Sequence, residues 1–140
     1  MKNYVMNYWL IKSEPGTYSW DDLERDKKTY WDGVRNYAAR MHMNAMKVGD
    51  LCLFYHSVNE KCCVGVAKVV GEAYQDPTTD DDKWVVMDVS PEFKLKKPVT
   101  LEMAKAETRL SEMVLVNNTR LSVQPVKKEE FDLVIAMSEE

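Results

Sequence analysis

Short blocks of apolar residues, separated by polar turns, run along the whole chain. In several blocks apolar and polar positions alternate with the period of two that a half-buried strand requires. Polar residues at 47–50 and 59–61 separate neighbouring blocks and predict turns, and 74–83 is typical of a polar loop. The pattern predicts strands at 8–13, 51–57, 62–70 and 84–89, and short strands or extended pieces at 113–116 and 121–123.

Three polar residues stand directly before segments with helical spacing, and they predict helix N-caps. Ser19 precedes a short helix to about residue 26, Asn36 precedes a second helix through residue 46, and Thr100 precedes a third helix to residue 106. A fourth helix is predicted at 129–137, where the apolar residues fall on one face.

The order of these elements favours the α+β class. Five or six strands and three or four short helices follow one another, and hairpin-like links are commoner than regular strand–helix–strand units. We expect one domain over residues 1–140, with a mixed and strongly curved sheet that could close as a small barrel. A doubly wound parallel sheet fits poorly because the chain has no Gly-rich turn from strand to helix.

Composition and charge narrow the function classes. The 140 residues are 45% hydrophobic and 30% charged, with a net charge of −4. A protein that binds duplex DNA mainly through phosphates usually has a basic surface. A nucleic-acid role would therefore depend on a local site or on base recognition, and a small acidic enzyme is equally compatible with these numbers.

The cysteines and the N-terminus predict a cytoplasmic protein. Cys52, Cys62 and Cys63 are odd in number and two are adjacent, which argues against a disulfide framework and fits a reducing compartment. Only two histidines accompany them, so we expect no metal site and interpret the three thiols as small buried residues. No apolar signal region follows Met1 and no segment is long enough to span a membrane, so we expect neither export nor a membrane partner.

One segment has neither a strand nor a helix pattern and concentrates groups suited to a flat polar ligand. Aromatic faces with a few convergent polar groups are typical of such a pocket. Its Arg35 can donate a planar fork, its Asn36 can pair with a base edge or cap the next helix, and its Trp31 can form a wall or belong to the core. The segment is Trp31-Asp32-Gly33-Val34-Arg35-Asn36-Tyr37.

Three further groups of polar residues lie at predicted strand ends. Lys12, Ser13 and Glu14 end the first strand just before Pro15, and they could contact a ligand or form a local ion pair. His56 and Ser57 end another strand, where alternation directs their side chains to opposite faces. The last group would share one face, either toward the same cavity or toward solvent on an edge strand, and consists of Arg120, Ser122 and Gln124.

Taken together, four segments resemble the EVE domain family. They are 8–15, 31–37, 54–57 and 120–125, and the resemblance extends from Tyr8 to about Met137. It implies a PUA-like fold, which is a curved, barrel-like mixed sheet surrounded by short helices. By similarity, the residues that would line or flank the pocket are Lys12, Ser13, Glu14, Trp31, Val34, Arg35, Asn36, His56, Ser57, Arg120 and Ser122.

The resemblance also implies a function. Related PUA, YTH and ASCH domains include proteins that bind RNA or flipped-out modified bases, and EVE domains are associated with bases such as methylated cytosines. We therefore expect a non-enzymatic module that binds a modified base in RNA or DNA, without cofactor or metal, as a monomer or weak homodimer. The base would stack on Trp31, with its edge at Asn36 and Ser13.

Two alternatives and one departure accompany this hypothesis. The chain could be a hydrolase or other enzyme acting on a modified nucleoside or nucleotide, with Lys12 and Glu14 as acid–base groups. It could also be a protein-interaction module with an exposed apolar patch. After Tyr37 the family commonly continues Gln-Ala-Arg-Asn, whereas this chain has Ala38 and Met41 at the two amide positions. Loss of two amides could change the ligand preference.

Overall fold

The computed structural model describes residues 5–118 and 120–140. The expectation of no export concerns residues 1–4, which lie outside the described residues. Short helices and strands alternate along the first half of the chain, and two long strands follow. The elements are β1 (Tyr8–Ser13), α1 (Trp20–Asp26), β2 (Thr29–Tyr30), α2 (Tyr37–Ala45), β3 (Leu51–His56), β4 (Cys62–Gln75), β5 (Val85–Thr100), α3 (Leu101–Ala106), a 3₁₀ turn (Thr108–Leu110), α4 (Val114–Asn117), β6 (Val123–Val126) and α5 (Lys128–Ser138).

The six strands form one mixed sheet in the order β2-β5-β4-β3-β1-β6. β1 and β3 are parallel, and the other neighbours are antiparallel. Over the described residues the sheet is open, which corrects the expectation that it could close as a barrel. The two edge strands are too short to close the sheet by hydrogen-bonding to each other. β2 has two residues, and the four-residue β6 contains Pro125, which has no N–H.

Buried side chains cover both faces of the sheet and form two clusters. Ile11, Phe54 and Met87 belong to the cluster that also contains α1 and α2 residues. Leu10 and Leu53 belong to the opposite cluster, together with residues of α5. The adjacent Cys62 and Cys63 fall into different clusters because successive residues of a strand point to opposite faces.

The predicted caps are confirmed. The hydroxyl of Ser19 accepts the N–H of Asp22 at 3.1 Å, and the carboxylate of Asp22 accepts the N–H of Ser19 at 2.9 Å. Each cap thus satisfies backbone groups that a helix end leaves without an intrahelical partner. Asn36 caps α2 and Thr100 caps α3 through the same three-residue spacing.

Several predictions about the chain after residue 60 were wrong. β4 runs to Gln75 rather than ending at residue 70, and β6 is Val123–Val126 rather than 121–123. β5 extends to Thr100 rather than ending near residue 89, because its polar second half pairs with the start of β4 in a long bulged hairpin. Residues 114–117 form the helix α4 rather than an extended piece. Tertiary packing outweighs the strand preference of the β-branched residues in this segment. Leu115 is buried, and the Asn117 amide donates to the Ser111 and Met113 carbonyls.

Trp20, the first residue of α1, attaches that helix to the sheet. Its ring is 2% exposed and meets the Phe54 ring edge-on at 5.4 Å between centroids. Its backbone N–H donates to Nε2 of His56 at 3.0 Å. The ring lies over Gly65 of β4, where a Cβ atom would come within 2.6 Å of two indole carbons. Only glycine therefore permits this packing.

We expect Gly65→Ala to lower the free energy of unfolding by roughly 1–3 kcal/mol, because a buried ring or a strand must shift to admit the methyl group. Urea denaturation measures the change. Gly16→Ala is the matched control, since no atom lies within 4 Å of a Cβ there and its φ is not positive. A Gly65→Ala protein as stable as the Gly16→Ala protein would contradict the close approach.

Candidate functional site

A cavity of about 500 Å³ opens at the C-terminal end of β1. One wall is the end of β1 and the turn that follows it, and the other is the segment that includes β2 and continues to Arg35. The lining residues are Lys12, Ser13, Glu14, Thr17, Tyr18, Thr29, Tyr30, Trp31, Asp32, Gly33, Val34, Arg35 and Ser122.

Trp31 belongs to the cavity and to the core at once. It is 7% exposed, and its ring meets those of Tyr18 and Phe54 edge-on at 6.2 and 5.4 Å. Its backbone N–H donates to the carbonyl of Met87 at 2.8 Å, which continues the β2–β5 pairing. These contacts hold the indole rigidly, so it can serve as a fixed wall.

The first wall is held by backbone hydrogen bonds. The N–H of Lys12 donates to the carbonyl of Ser122 at 3.0 Å, and the carbonyl of Glu14 accepts the N–H groups of Thr17 and Tyr18 at 2.9 and 2.8 Å. The Ser13 hydroxyl donates to the Tyr18 carbonyl. The turn after β1 therefore folds back and places Tyr18 over the strand end.

Lys12 lines the cavity, and its ammonium lies near Tyr55, a residue of the cluster that contains Leu10 and Leu53. Its Nζ lies 5.6 Å from the centroid of the Tyr55 ring, close enough for a cation–π contact. Burial lowers the pKa of the Lys12 ammonium, because desolvation disfavours the charged form.

Arg35 closes the second wall through an ion pair with Asp76. Its Nη1 lies 3.1 Å from Oδ2 of this fully buried carboxylate. Burial alone would raise the pKa of Asp76, but hydrogen bonds from the Thr78 hydroxyl and N–H, together with the guanidinium, hold that pKa below its usual value. Gly33, at φ +76°, allows the chain to turn between Trp31 and Arg35.

The structure brings seven of the eleven expected site residues to the cavity. They come from the two walls and from the residue just before β6, and are Lys12, Ser13, Glu14, Trp31, Val34, Arg35 and Ser122.

The other four expected residues lie outside the lining in the described part of the chain. Asn36 caps α2, since its Oδ1 accepts the N–H of Ala39 at 3.0 Å. His56 is buried between the N–H of Trp20 and Oε1 of Glu60, at 3.0 and 2.8 Å. Ser57 donates its N–H to the Ser13 carbonyl, and Arg120 is exposed.

Six lining residues were not in the expected set. Thr17 and Tyr18 follow Pro15-Gly16, a turn signal that could have predicted the chain's return over β1. Thr29, Tyr30, Asp32 and Gly33 adjoin Trp31 and reach the cavity because β2 pairs with β5. That pairing has no local signal in so short a strand.

The departures at Ala38 and Met41 lie on α2, outside this lining. Both residues are exposed, and Met41 retains 62% of its accessible surface. Neither position therefore contributes a side chain to the cavity walls.

Gln124 is buried rather than directed into the cavity. It lies opposite Leu10 in the sheet, and its Nε2 donates to the Leu121 and Asn118 carbonyls at 2.8 and 3.2 Å. Of the polar face expected on this segment, Ser122 alone lines the cavity among the described residues.

The described residues contain no group of three or more His, Cys, Asp or Glu side chains placed to hold a metal ion. Within the same part of the chain, no helix has both the length and the apolar character needed to cross a bilayer.

Comparison with known sequences identifies the family. The profile of the EVE domain matches residues 7–137, which is nearly all of the chain. The chain belongs to the EVE domain family. Mouse thymocyte nuclear protein 1 is 37% identical to it, over 96% of this chain and 75% of the mouse protein.

Solved structures confirm the α+β, PUA-like fold of this family. An NMR structure of a Rhodopseudomonas palustris protein is 46% identical, with a TM-score of 0.91, and covers 96% of this chain and 94% of that chain. The human THYN1 protein has been solved in complex with DNA that contains 5-methylcytosine. It is 36% identical, with a TM-score of 0.87, and covers 96% of this chain and 98% of that chain.

We expect Asp76→Asn to destabilise the protein by roughly 1–3 kcal/mol at neutral pH, because the Arg35 and Thr78 hydrogen bonds lose their charged acceptor. A carboxylate whose pKa is lowered on folding stabilises the native state above its usual pKa and loses that effect as the pH falls. The difference between the two proteins should therefore shrink below about pH 4. Urea titrations at several pH values measure it, and a difference independent of pH would contradict the ion pair.

Proposed function

We propose that this chain binds nucleic acid through a modified base inserted into the cavity, without catalysis. One observation carries the proposal. A relative that shares the fold and 36% of the sequence, human THYN1, is solved with 5-methylcytosine-containing DNA. In this chain three of the four resembling segments, 8–15, 31–37 and 120–125, contribute residues to a cavity with aromatic and polar walls.

The cavity has the size and surfaces that a single base requires. Its volume of about 500 Å³ lies within the range of small-ligand pockets. Tyr18, Tyr30 and Trp31 provide aromatic surface, and Tyr30 is the most accessible of the three, at 43% exposed. Val34 provides an apolar contact of the kind that a methyl group on a pyrimidine ring prefers.

Polar groups around the cavity suit the edge of a cytosine-like base. The carboxylates of Glu14 and Asp32 can accept hydrogen bonds from an exocyclic amine. Ser13 and Ser122 add hydroxyl groups, which can accept or donate. Asn36 is not assigned to the base edge, because its amide oxygen already accepts the N–H of Ala39 as the cap of α2.

Affinity in this proposal comes mainly from the base. Lys12, Arg35 and the exposed Arg120 could each contact a flanking phosphate, but the chain as a whole carries a net charge of −4. Binding to unmodified duplex should therefore be weak and should change only modestly with salt. We extend the proposal to RNA as well as DNA, and to a cytoplasmic protein that acts as a monomer or weak homodimer.

We expect wild-type protein to bind an oligonucleotide with one 5-methylcytosine more tightly than the same oligonucleotide with cytosine. Tyr30→Ala should weaken binding of the modified strand by roughly 5- to 150-fold, the range for loss of one base–aromatic stack. Phe93→Ala is the control, because Phe93 is equally exposed, at 43%, and lies outside the cavity lining. Fluorescence anisotropy with labelled strands gives both dissociation constants.

The panel should include other modified cytosines and their RNA counterparts. Equal affinity for modified and plain strands across the whole panel would overturn base recognition. An effect of Phe93→Ala as large as that of Tyr30→Ala would instead overturn the assignment of the cavity.

Lys12 supports an enzymatic alternative. Lys12 lines the cavity, and a lysine whose pKa is lowered by burial is a candidate general base. Incubation of the protein with modified nucleosides, followed by chromatography, tests this alternative. Product formation that Lys12→Met abolishes would favour an enzyme over a binding module.

A further inference from the structure

Next to the cavity lies a cluster of aromatic rings and guanidinium groups that neither core contains. We name it the Tyr37 surface, and it consists of Tyr37, Arg40 and Trp84. The rings of Tyr37 and Trp84 lie 5.3 Å apart between centroids, tilted by 32°. The Arg40 guanidinium carbon lies 5.0 Å from the Tyr37 ring and 5.7 Å from the Trp84 ring.

Two ordered elements hold the Tyr37 surface in place. Tyr37 is the first residue of α2, directly after the Asn36 cap, and Arg40 follows one turn later on the same face. Trp84 ends a loop closed by two backbone bonds, from the Asp76 N–H to the Trp84 carbonyl at 2.9 Å and from the Trp84 N–H to the Asp81 carbonyl at 3.3 Å. The surface therefore exists before any ligand arrives.

The Tyr37 surface is partly exposed to solvent. Tyr37 is 59% exposed, and within the described residues neither it nor Trp84 belongs to a buried cluster. The guanidinium of Arg40 donates to the neutral carbonyl of Lys83 at 2.9 Å, and no carboxylate in the described part of the chain forms a salt bridge with it. An exposed aromatic ring and a guanidinium that forms no salt bridge within the described residues thus lie side by side.

Arg35 connects this surface to the cavity. The residue lines the cavity, and its guanidinium carbon also lies 5.5 Å from the Trp84 ring. Its ion pair with Asp76 holds the guanidinium near both the cavity and the Trp84 ring, because the Asp76 N–H also donates to the carbonyl of Trp84. A strand whose base enters the cavity would pass Arg35 and reach the Tyr37 surface next.

We propose that the Tyr37 surface binds the neighbouring nucleotide of a single strand, with its base stacked on Tyr37 and its phosphate beside Arg40. This inference rests on the proposed function and extends it from one base to a dinucleotide. It adds affinity that depends little on the identity of the neighbouring base, because every base has a face that can stack.

Charge around the surface favours a base over a run of phosphates. The loop before Trp84 carries Asp80, Asp81 and Asp82, which would repel a long polyanion. A stacked base is less affected by these negative charges, because it contacts the surface through its uncharged ring face. Arg40 then has to neutralise only one phosphate. Met41, one turn after Tyr37 on the same helical face and 62% exposed, adds an apolar margin.

The test uses single-stranded oligonucleotides with one 5-methylcytosine, in which an abasic site replaces the neighbouring base on either side. For wild-type protein, an abasic site on one of the two sides should weaken binding by roughly 5- to 150-fold. The Tyr37→Ala protein should bind the intact strand as weakly as the wild-type protein binds the abasic strand. Removal of the neighbouring base should not weaken binding by Tyr37→Ala any further. Tyr37→Phe should retain wild-type affinity, and Phe93→Ala is again the exposed control.

Failure of this inference can be distinguished from failure of the proposed function. Tyr37→Ala should weaken modified and plain strands alike and leave their affinity ratio unchanged, because the modified base lies in the cavity. If wild type prefers the modified strand but neither Tyr37→Ala nor an abasic neighbour changes the affinity, the Tyr37 surface is overturned alone. If wild type shows no preference for the modified strand, the proposed function fails and this inference fails with it.

Discussion

The two ladders of β1 determine where the cavity lies. β1 pairs in parallel with β3, so Ser13 lies beside His56 and both strands end at the same edge of the sheet. The antiparallel β6 begins at that edge, and a bond from the Lys12 N–H to the Ser122 carbonyl extends the pairing beyond it. Three segments far apart in sequence therefore meet at one place, and no local preference of any of them would be enough to bring them together.

A continuous series of aromatic rings joins that place to the interior. Tyr18 meets Trp31, Trp31 meets Phe54, and Phe54 meets Trp20, each pair edge-on with centroids 5.4 to 6.2 Å apart. Such contacts are stiff, because interiors are packed as densely as organic crystals. The wall of the cavity is thus an extension of the core, and Trp20, which packs on Gly65, belongs to the same series of rings as Trp31.

The sequence predicted features whose cause is local. Each helix cap accepts an N–H from the residue three positions onward, so a few neighbouring residues are enough to predict it. The caps are Ser19, Asn36 and Thr100. The length of β5 could not be predicted from the sequence, because its polar second half becomes a strand only by pairing with β4. Tyr18 and Tyr30 join the cavity through a turn and a two-residue pairing, which only the assembled sheet defines. Resemblance supplied most of the wall residues but could not show which side chains the fold already uses elsewhere.

Burial of the three thiols on both faces of the sheet has a consequence for redox chemistry. Desolvation raises the pKa of the Cys63 thiol to about 12 and also raises the pKa values of Cys52 and Cys62, so the folded chain presents almost no thiolate, the form that oxidants attack. Cys62 and Cys63 face opposite layers and cannot form a disulfide without disrupting β4. Oxidation of these three cysteines would therefore report how often the chain unfolds rather than how much oxidant surrounds it.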